Sequence, residues 1–267
     1  MPTSTITHPV TTVHVQIAGR QPTAERPVRL IARDIEAAEL LAAHSHAWGQ
    51  VTYALEGVVR VTVANSTWIV PPMRAIWIPP DVMHEVASLE RARLRTIFVH
   101  GGFAPFKDSH CRVLDVSPLL RELIVALSQV AAVEPREGLL SALFLDELAG
   151  SATLPIKVAL PSDKRLKALC EMLIADPASQ TTLDQWAKHA GASARTLARL
   201  FERDLGMSFG QWRQQVRLAH AAPLIARGLP LSRVAAELGY TSQSAFSAMF
   251  KKTFGQSPSA FFTQKEV

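Results

Sequence analysis

The chain has 267 residues, of which 48% are hydrophobic and 19% are charged, so it is a globular protein and not a disordered one. Its formal net charge is +5, and its two cysteines, Cys111 and Cys170, are too few for a disulfide framework or a cysteine-based zinc site. No apolar run approaches the length of a membrane span, and the N-terminus lacks the pattern of a signal peptide, so we expect a cytoplasmic protein without a membrane partner.

The charge is unevenly distributed along the chain. Residues 162–267 carry 14 Lys+Arg and 8 Asp+Glu, whereas residues 1–161 carry 14 and 15. Seven of the nine histidines lie before residue 111. The two halves therefore differ chemically, which predicts two domains, and we expect the basic C-terminal domain to bind a polyanion.

The first part of the chain predicts an arm followed by a β-rich domain. Residues 1–27 show little periodicity and are interpreted as an N-terminal arm. Short β segments separated by Gly, Asn and Pro turns then follow one another as far as residue 100, which is typical of a small barrel or sandwich. The clearest of these segments are 50–55, 58–63, 66–70, 75–78 and 93–99.

Two helices are predicted at residues 117–148. Ser117 is a candidate N-cap, Pro135 and Gly138 are expected to end the first helix, and 139–148 forms the second. The first helix has an apolar stripe made of Leu120, Leu123, Ile124 and Leu127. Because such a stripe is too apolar to remain exposed, we expect it to form a homodimer interface. The alternative is that the stripe packs entirely on its own barrel.

The rest of the chain is predicted to form a linker and an all-helical domain. Residues 150–162 have no helical pattern and contain two prolines, so they are predicted to link a sensor and dimerisation domain at 28–149 to a second domain at 163–267. Helices are predicted there at 163–175, 183–190, 194–205, 209–227, 231–238, 242–254 and 258–263.

An internal repeat is the strongest signal in the sequence. The segment 183–212 recurs at 231–262, with an offset of 48 that becomes 49 after one extra residue. The matched pairs include Leu183 and Leu231, Ala187 and Ala235, Gly191 and Gly239, Leu197 and Phe246, and Phe201 and Phe250.

Each copy of the repeat predicts a helix-turn-helix. A small alanine lets a second helix approach closely, and the glycine permits the left-handed backbone of a tight turn. Ser193 or Ser242 can then cap the second helix, which buries one apolar face and leaves a polar one. In a helix-turn-helix the second helix enters the DNA major groove. The alternative is a helical bundle whose repeat is only structural, but the basic excess favours DNA binding.

The C-terminal part resembles the paired helix-turn-helix domain of the AraC/XylS family of transcription regulators. The stretch GYTSQSAFSAMFKKTFGQSPSAFF carries the resemblance, through the aromatic after glycine, Phe246, Phe250 with two following lysines, Gly255 and Ser257-Pro258. Pro223 departs from the pattern, because a proline inside the joining helix removes a hydrogen bond and can kink it.

The polar faces of the two second helices supply the candidate DNA contacts. Arginine pairs bidentately with guanine and glutamine with adenine, while lysine and serine also contact phosphate. The candidates are Arg195, Thr196, Arg199, Gln243, Ser244, Ser247, Lys251 and Lys252, with Lys252 assigned to phosphate. The alternative for Arg195 and Arg199, which lie on the second helix of the first copy, is phosphate contact or solvation alone.

A cluster of histidines stands out in the β-rich domain. His44, His46 and Gln50 are separated by two and four residues, so on a single strand all three would point to one face, together with Trp48. His84 follows about one hairpin later, after a proline-rich turn.

This arrangement resembles the two short motifs of the cupin superfamily, a double-stranded β-helix jelly roll. Gln50 stands where the first motif has an acid, Gly57 falls at the expected spacing, and Asp81 replaces the usual glycine of the second motif. Arabinose-type regulators carry a cupin-like N-terminal domain, so the two resemblances agree. Together they imply an all-β cupin domain with two trailing helices and an all-α domain with two helix-turn-helix units.

The histidine cluster is consistent with two kinds of binding site. Three imidazoles and an amide oxygen, from His44, His46, His84 and Gln50, suit a borderline divalent ion such as Zn, Ni, Fe or Mn. Alternatively, these four residues and Trp48 line a metal-free pocket for a small molecule.

We therefore expect a DNA-binding transcription regulator, not an enzyme, whose cupin-like domain senses a small molecule. Its expected partners are double-stranded DNA, an effector, a second copy of itself, and RNA polymerase if it is an activator. The resemblance implies a neighbouring transporter or catabolic gene as its target. The alternative function is a metal-dependent cupin enzyme of the dioxygenase or isomerase type, which would have no use for a basic helical repeat.

Overall fold

The computed structural model describes residues 11–13, 21–37, 39–64, 66–70, 74–88, 91–130, 135–154, 157–255 and 257–262. Most of the predicted arm at 1–27 lies outside these residues. The chain divides into two compact units. The first comprises Met1–Val63 and Val70–Thr153, and the second comprises Ala64–Ile69 and Leu154–Val267. The division after Thr153 falls inside the segment 150–162 that was interpreted as a linker.

The first unit is rich in strands and ends in two helices. Within the described residues its strands are β1 (Thr11–Val13), β2 (Val28–Ile35), β3 (Glu39–His44), β4 (Gly49–Glu56), β5 (Val59–Val63), β7 (Arg74–Ile78), β8 (His84–Ser88), β9 (Ala92–Val99) and β10 (Arg112–Asp115). A 3-10 turn spans Gly101–Phe103, and α1 (Pro118–Gln129) and α2 (Pro135–Ala149) follow. The five strand segments singled out from the sequence are each present within one residue of their predicted ends, counting β6 (Ser66–Val70).

These strands form two sheets, in agreement with the predicted cupin-like domain. In the first unit one sheet has the order β1-β3-β8-β5 and the other has the order β10-β7-β4-β9-β2. β1 pairs with β3 in parallel, while β3 with β8, β5 with β8, β4 with β7 and β9, β2 with β9 and β7 with β10 are antiparallel. The side chains of each strand alternate between the two faces of its sheet, so each sheet has one face for the interior.

The two helices pack on the second of these sheets. Trp77, Ile97 and Tyr53 form a buried cluster with Leu120 and Ile124 of α1 and with Phe144 and Leu148 of α2. Leu123 is also buried and Leu127 packs against the same cluster. The expectation that this stripe is a dimer interface was therefore wrong, because its apolar area is already covered by the barrel of the same chain.

The start of α2 also differs from the sequence prediction. The helix begins at Pro135 and includes Gly138, whereas both were expected to precede it. A proline is well tolerated in the first turn of a helix, where its missing N–H would have no intrahelical partner.

Two short strands that were not predicted lie at and just after the division between the units. β11 (Thr153–Leu154) and β12 (Val158–Ala159) lie in the predicted linker, and β12 pairs antiparallel with β6. Val158 and Leu160 are buried, and Trp212 Nε1 donates a hydrogen bond of 2.7 Å to the Ala159 carbonyl. Because alternate residues of this segment are apolar, it pairs and packs as a strand within its unit.

The remainder of the second unit is helical, as predicted. Its helices are α3 (Lys164–Ala175), α4 (Leu183–His189), α5 (Ala194–Leu205), α6 (Phe209–Ala226), α7 (Leu231–Glu237), α8 (Gln243–Phe254) and α9 (Pro258–Phe262). No strand occurs in its described residues beyond Ala159. α6 continues through Pro223, and Arg227 N–H donates to the Pro223 carbonyl one turn later, at 3.2 Å.

Candidate functional site

The three cluster histidines and Gln50 come together, but not along one strand. His44 ends β3, Gln50 is the second residue of β4, and His46 lies in the bend between these strands. His84 begins β8 and is the register partner of His44. The single-strand expectation was therefore wrong, because the chain bends at 45–48, where Asp81 N–H donates to the His46 carbonyl at 2.8 Å.

The imidazole rings are in mutual contact. The ring centroids of His44 and His84 are 4.3 Å apart, and those of His46 and His84 are 5.1 Å apart. One ring nitrogen from each of the three histidines lies within 4.8 Å of the others. Trp48 stacks on His46 with a centroid distance of 5.1 Å and nearly parallel planes. The predicted set is thus a compact cluster.

Backbone carbonyls hold each of these rings by the same nitrogen. His44 Nδ1 lies 2.8 Å from the Ala42 carbonyl, and His46 Nδ1 lies 2.8 Å from the Trp48 carbonyl. His84 Nδ1 lies 2.9 Å from the Val82 carbonyl. A carbonyl oxygen only accepts hydrogen bonds, so each Nδ1 carries the proton and each Nε2 of a neutral ring carries a lone pair.

His84 Nε2 is the unusual atom of the cluster. The His84 side chain is 1% exposed, and its Nε2 is buried without a hydrogen-bond partner among the described residues. Burial, with smaller effects from His44 and His46, lowers the pKa of His84 to about 4, and burial also lowers the pKa of His44. Both rings are therefore neutral at neutral pH, and a buried lone pair is available to a proton donor or a cation.

The side-chain amide of Gln50 places an oxygen beside the His46 ring. Its Oε1 lies 3.0 Å from His46 Nε2, and its Nε2 donates to Thr52 Oγ1 at 2.9 Å. With the proton of His46 on Nδ1, the facing atoms are two acceptors, which repel each other unless a cation lies beside both or the amide is reversed.

A cavity between the two sheets adjoins the cluster. It is lined from one sheet by Leu41, His44 and Val86, and from the other by Ile31, Arg33, Gln50, Thr52, Leu94, Thr96 and Phe98. Of the five residues predicted to bind a ligand, His44 and Gln50 line this cavity directly. His46 and His84 contact the His44 ring, and Trp48 stacks on His46.

Sequence reasoning missed Arg33 and Thr96 in the cavity. Ile31 and Arg33 are two apart on β2, and Leu94, Thr96 and Phe98 alternate on β9, so the period of two was the available signal. The residues were overlooked because their segments contain no recognisable ligand-binding or metal-binding motif.

Both copies of the repeat form the predicted helix-turn-helix units. The turn glycines Gly191 and Gly239 have φ values of 60° and 70°, which are left-handed conformations that favour glycine. Ser193 Oγ accepts from the Thr196 N–H and Ser242 Oγ accepts from the Ala245 N–H, so each serine caps its second helix as expected.

The predicted DNA-contacting side chains lie on the open faces of α5 and α8. The buried faces consist of Leu197 and Phe201 on α5 and of Phe246 and Phe250 on α8. The exposed candidates are Arg195, Thr196, Arg199, Gln243, Ser244, Lys251 and Lys252, and Ser247 is partly exposed.

The two candidate arginines of α5 are not held in ion pairs, unlike two other arginines of this domain. Arg203 pairs with Asp204 at 2.7 Å, and Arg233 pairs with Glu237 at 3.0 Å. Arg195 and Arg199 make no ion pair within the described part of the chain. Their guanidinium groups are therefore available to a polyanion.

Comparison with known proteins identifies the family. A model of a helix-turn-helix domain matches residues 186–264, and a model of an AraC-like ligand binding domain matches residues 30–149. The HTH-type transcriptional regulator NimR of Escherichia coli strain K12 is 36% identical over 224 residues, which cover 83% of this chain and 82% of NimR. The chain belongs to the AraC family of transcriptional regulators.

Other members of the AraC family match over shorter stretches. The arabinose operon regulatory protein of Salmonella typhimurium strain LT2 is 30% identical over 175 residues, covering 62% of this chain and 59% of that protein. Among solved structures, ToxT of Vibrio cholerae has a TM-score of 0.38 and 12% identity, covering 88% of this chain and 98% of that one.

The AraC-family match gives the chain its general function. It is a transcription regulator with a DNA-binding helix-turn-helix domain and a ligand-binding domain. The alternative of a cupin enzyme is not supported, because the relatives of this chain are named as transcriptional regulators. In the described part of the chain, none of the helices combines the length and hydrophobicity that crossing a bilayer requires.

Proposed function

We propose that this AraC-family regulator reads DNA with the open faces of α5 and α8 and binds its effector at the histidine cluster and the adjoining cavity. The observation that carries the sensing site is the buried Nε2 of His84, which has no partner among the described residues. A buried polar atom without a partner is costly, so a group that satisfies it is strongly bound there. An effector that binds one DNA-binding arrangement more tightly then shifts the population toward it.

Two features support DNA binding: unpaired arginines on α5 and the distance between the two recognition helices. Arg195 and Arg199 are one turn apart on α5, exposed and unpaired within the described residues. α6, which joins the two helix-turn-helix copies, has 18 residues and is therefore about 27 Å long. Successive major-groove turns on one DNA face are about 34 Å apart, so a helix of this length suits two recognition helices in adjacent turns.

Arg199→Ala is expected to weaken binding of the full chain to its preferred DNA site by about 1–3 kcal/mol and to relax the preference at one base position. Lys252→Ala should weaken all sequences about equally and lower the log–log salt slope by about 0.9, as loss of one phosphate contact does. Site selection from a random DNA pool, followed by titration at several salt concentrations, measures both effects.

Arg165→Ala is the matched control, since it removes an exposed arginine from α3, outside the proposed DNA face. An unchanged selected site for Arg199→Ala would contradict base readout by this arginine. A wild-type affinity that does not depend on salt would contradict DNA binding through these faces.

We further propose that the cluster holds one divalent ion such as Zn, Ni, Fe or Mn. Each imidazole is oriented by an Nδ1–H bond to a backbone carbonyl, which is the outer-shell support typical of metal-binding histidines. The 3.0 Å between His46 Nε2 and Gln50 Oε1 suits an octahedral ion such as Ni, Fe or Mn better than tetrahedral Zn, because ligands about 2.1 Å from one ion lie about 3.0 Å apart at right angles and about 3.4 Å apart at the tetrahedral angle. The ion would supply positive charge to which an effector can bind.

Metal binding is tested with untagged protein that has been stripped by chelation and dialysed against Zn²⁺ or Ni²⁺. About one ion per chain is expected by elemental mass spectrometry, and His46→Ala with His84→Ala should lose it because two of the three nitrogen ligands are gone. DNA binding by this double variant should stay intact, and its response to the inducer should be lost.

His110→Ala is the control for that experiment, since His110 is exposed and lies outside the cluster. Metal retention by the double variant, or no retention by the wild type, would contradict the metal assignment. A double variant that still responds normally to its inducer would move the sensing site elsewhere.

We also propose that the regulator acts as a homodimer in the cytoplasm, with RNA polymerase as a further partner if it activates. Exposed leucines on α1 and α2, and not the buried stripe, support a dimer surface. Leu119, Leu139 and Leu143 are 50%, 70% and 51% exposed. Leu139 and Leu143 are one turn apart on α2, so they share a face.

Leu139→Glu with Leu143→Glu should give a folded monomer, because two charges on a dimer surface would be buried without partners. Analytical ultracentrifugation at micromolar concentration measures the mass. Met172→Glu is the control, since Met172 is also half exposed but lies on α3. A wild type that sediments as a monomer, or a double variant that remains dimeric, would contradict this surface.

A further inference from the structure

The turn glycines of the two helix-turn-helix copies share a conformation but not their surroundings. Gly191 and Gly239 have φ values of 60° and 70°. A methyl group at Gly191 would meet no described atom within 4 Å. A methyl group at Gly239 would lie 2.4 Å from Gln180 Nε2 and 3.0 Å from Arg217 Nη2. The turn of the second copy is therefore packed against other parts of its domain, whereas the turn of the first copy is open.

The segment packed against this turn lies next to the first copy. Residues 177–180 connect α3 to α4, and α4 is the first helix of that copy. The Nε2 of Gln180 donates to the Gly239 carbonyl at 3.0 Å and to the Ala178 carbonyl at the same distance. One amide thus connects the beginning of the first copy to the turn inside the second, across 59 residues of chain.

Arg217 of α6 holds the same segment in place. Its side chain is buried, and it donates from Nε to the Pro177 carbonyl at 3.0 Å and from Nη2 to the Ser179 carbonyl at 3.3 Å. Its guanidinium carbon lies 5.6 Å from the ring centroid of Tyr240, the residue after the turn glycine. No carboxylate pairs with Arg217 in the described part of the chain. Because the buried guanidinium depends on these carbonyls, displacing the segment would leave a charged donor unsatisfied.

The joining helix α6 is by itself a weaker connection between the copies. Pro223 has no N–H, so one carbonyl of the preceding turn lacks its helical donor. Gln180 and Arg217 precede this proline, and the turn residues 239–240 follow it, so the contacts between them form a bracket across the weak point. The bracket therefore supplies a second connection between the two copies.

We propose that Gln180 and Arg217 are positioning residues, which fix the second helix-turn-helix copy relative to the first and thereby select the spacing of the two DNA segments that the regulator accepts. Neither side chain is among the candidate DNA contacts, so the effect passes through the bracket. A pair of recognition helices that is already aligned avoids the entropy cost of ordering them on DNA, and it discriminates against DNA of the wrong spacing. This inference rests on the proposed reading of DNA by α5 and α8 and names what sets their separation.

The distance between the recognition helices is measured first, without DNA. Glu202→Cys and Ala248→Cys place spin labels at exposed positions of α5 and α8 in the full chain. Cys111→Ser removes the partly exposed native cysteine, while Cys170 is buried. Double electron–electron resonance is expected to give one narrow distribution of label distances.

Variants of the bracket are expected to widen that distribution. Arg217→Gln and Gln180→Ala each remove donors to the segment or the turn, so the width should grow at least about twofold. Gln180 is exposed, so Gln180→Ala leaves the domain folded and decides the outcome if Arg217→Gln unfolds. A broad wild-type distribution, or an unchanged width in Gln180→Ala, would overturn the inference.

The two turn glycines provide a matched pair of variants. Gly239→Ala and Gly191→Ala impose the same left-handed strain, but only Gly239→Ala forces a methyl group into the bracket. A shifted or widened distribution is expected for Gly239→Ala, and the wild-type distribution for Gly191→Ala. Equal effects of the two changes would contradict a role for the bracket.

A gel shift on the selected DNA site tests the consequence for spacing. One base pair inserted between the two segments moves one of them by about 3.4 Å and rotates it by about 34°. The insertion should weaken wild-type binding at least about tenfold but Gln180→Ala binding less than about threefold. Equal losses contradict the positioning role alone. Wild-type protein with a narrow distance distribution that binds no DNA contradicts the proposed DNA-reading function instead.

Discussion

Three backbone carbonyls, those of Ala42, Trp48 and Val82, determine the chemistry of the sensor domain. Each accepts the Nδ1 proton of a histidine, so the Nε2 lone pairs are left for whatever occupies the cluster. The carbonyls come from the end of β3, the bend after it and the turn before β8, so the arrangement depends on how these elements pair. The cluster is thus a property of the sandwich and not of one local motif.

The two helix-turn-helix units share a fold but not a surface. α4 begins with a capping box between Thr182 and Gln185, whereas α7 begins at Pro230 without a side-chain cap. α5 presents two unpaired arginines, whereas α8 presents Gln243, two serines and two lysines. Since arginine pairs bidentately with guanine, we propose that the first helix-turn-helix contributes more to base discrimination and the second more to positioning.

The helical domain was predictable because its signals are local. Caps and glycines lie within a few residues of the helix ends they define, so the bounds of α5, for example, agree with the prediction at both ends. The internal repeat then gave the two units independently of any contact. The exposed faces followed from the 3.6-residue period alone.

The errors arose where long-range contacts decide the outcome. Whether Leu120 and Ile124 face a partner or their own barrel depends on the second sheet, which the helix pattern does not contain. Val158 becomes part of a strand because β6 offers it a pairing edge. Arg33 was missed since its place in the cavity is set by pairing with β9, some sixty residues away.

The ligand-binding and DNA-binding domains are different units of the chain, so regulation requires a ligand of the first that changes the balance of states in the second. Such a group must differ in affinity between those states, or it shifts nothing. The buried Nε2 lone pair of His84 can be satisfied by a proton donor or a cation, and this limits the chemistry of such a group.

The most direct measurement is the tautomer of each cluster histidine in metal-free protein at neutral pH. Long-range proton–nitrogen correlation spectra of histidine-labelled protein report which ring nitrogen carries the proton, and single alanine variants assign the signals. A proton on Nδ1 is expected for His44, His46 and His84, and a deprotonated Nε2 is expected for His84. An Nε2–H form at His84 would mean that this ring offers no lone pair to the cluster, and it would contradict a sensing site at His84.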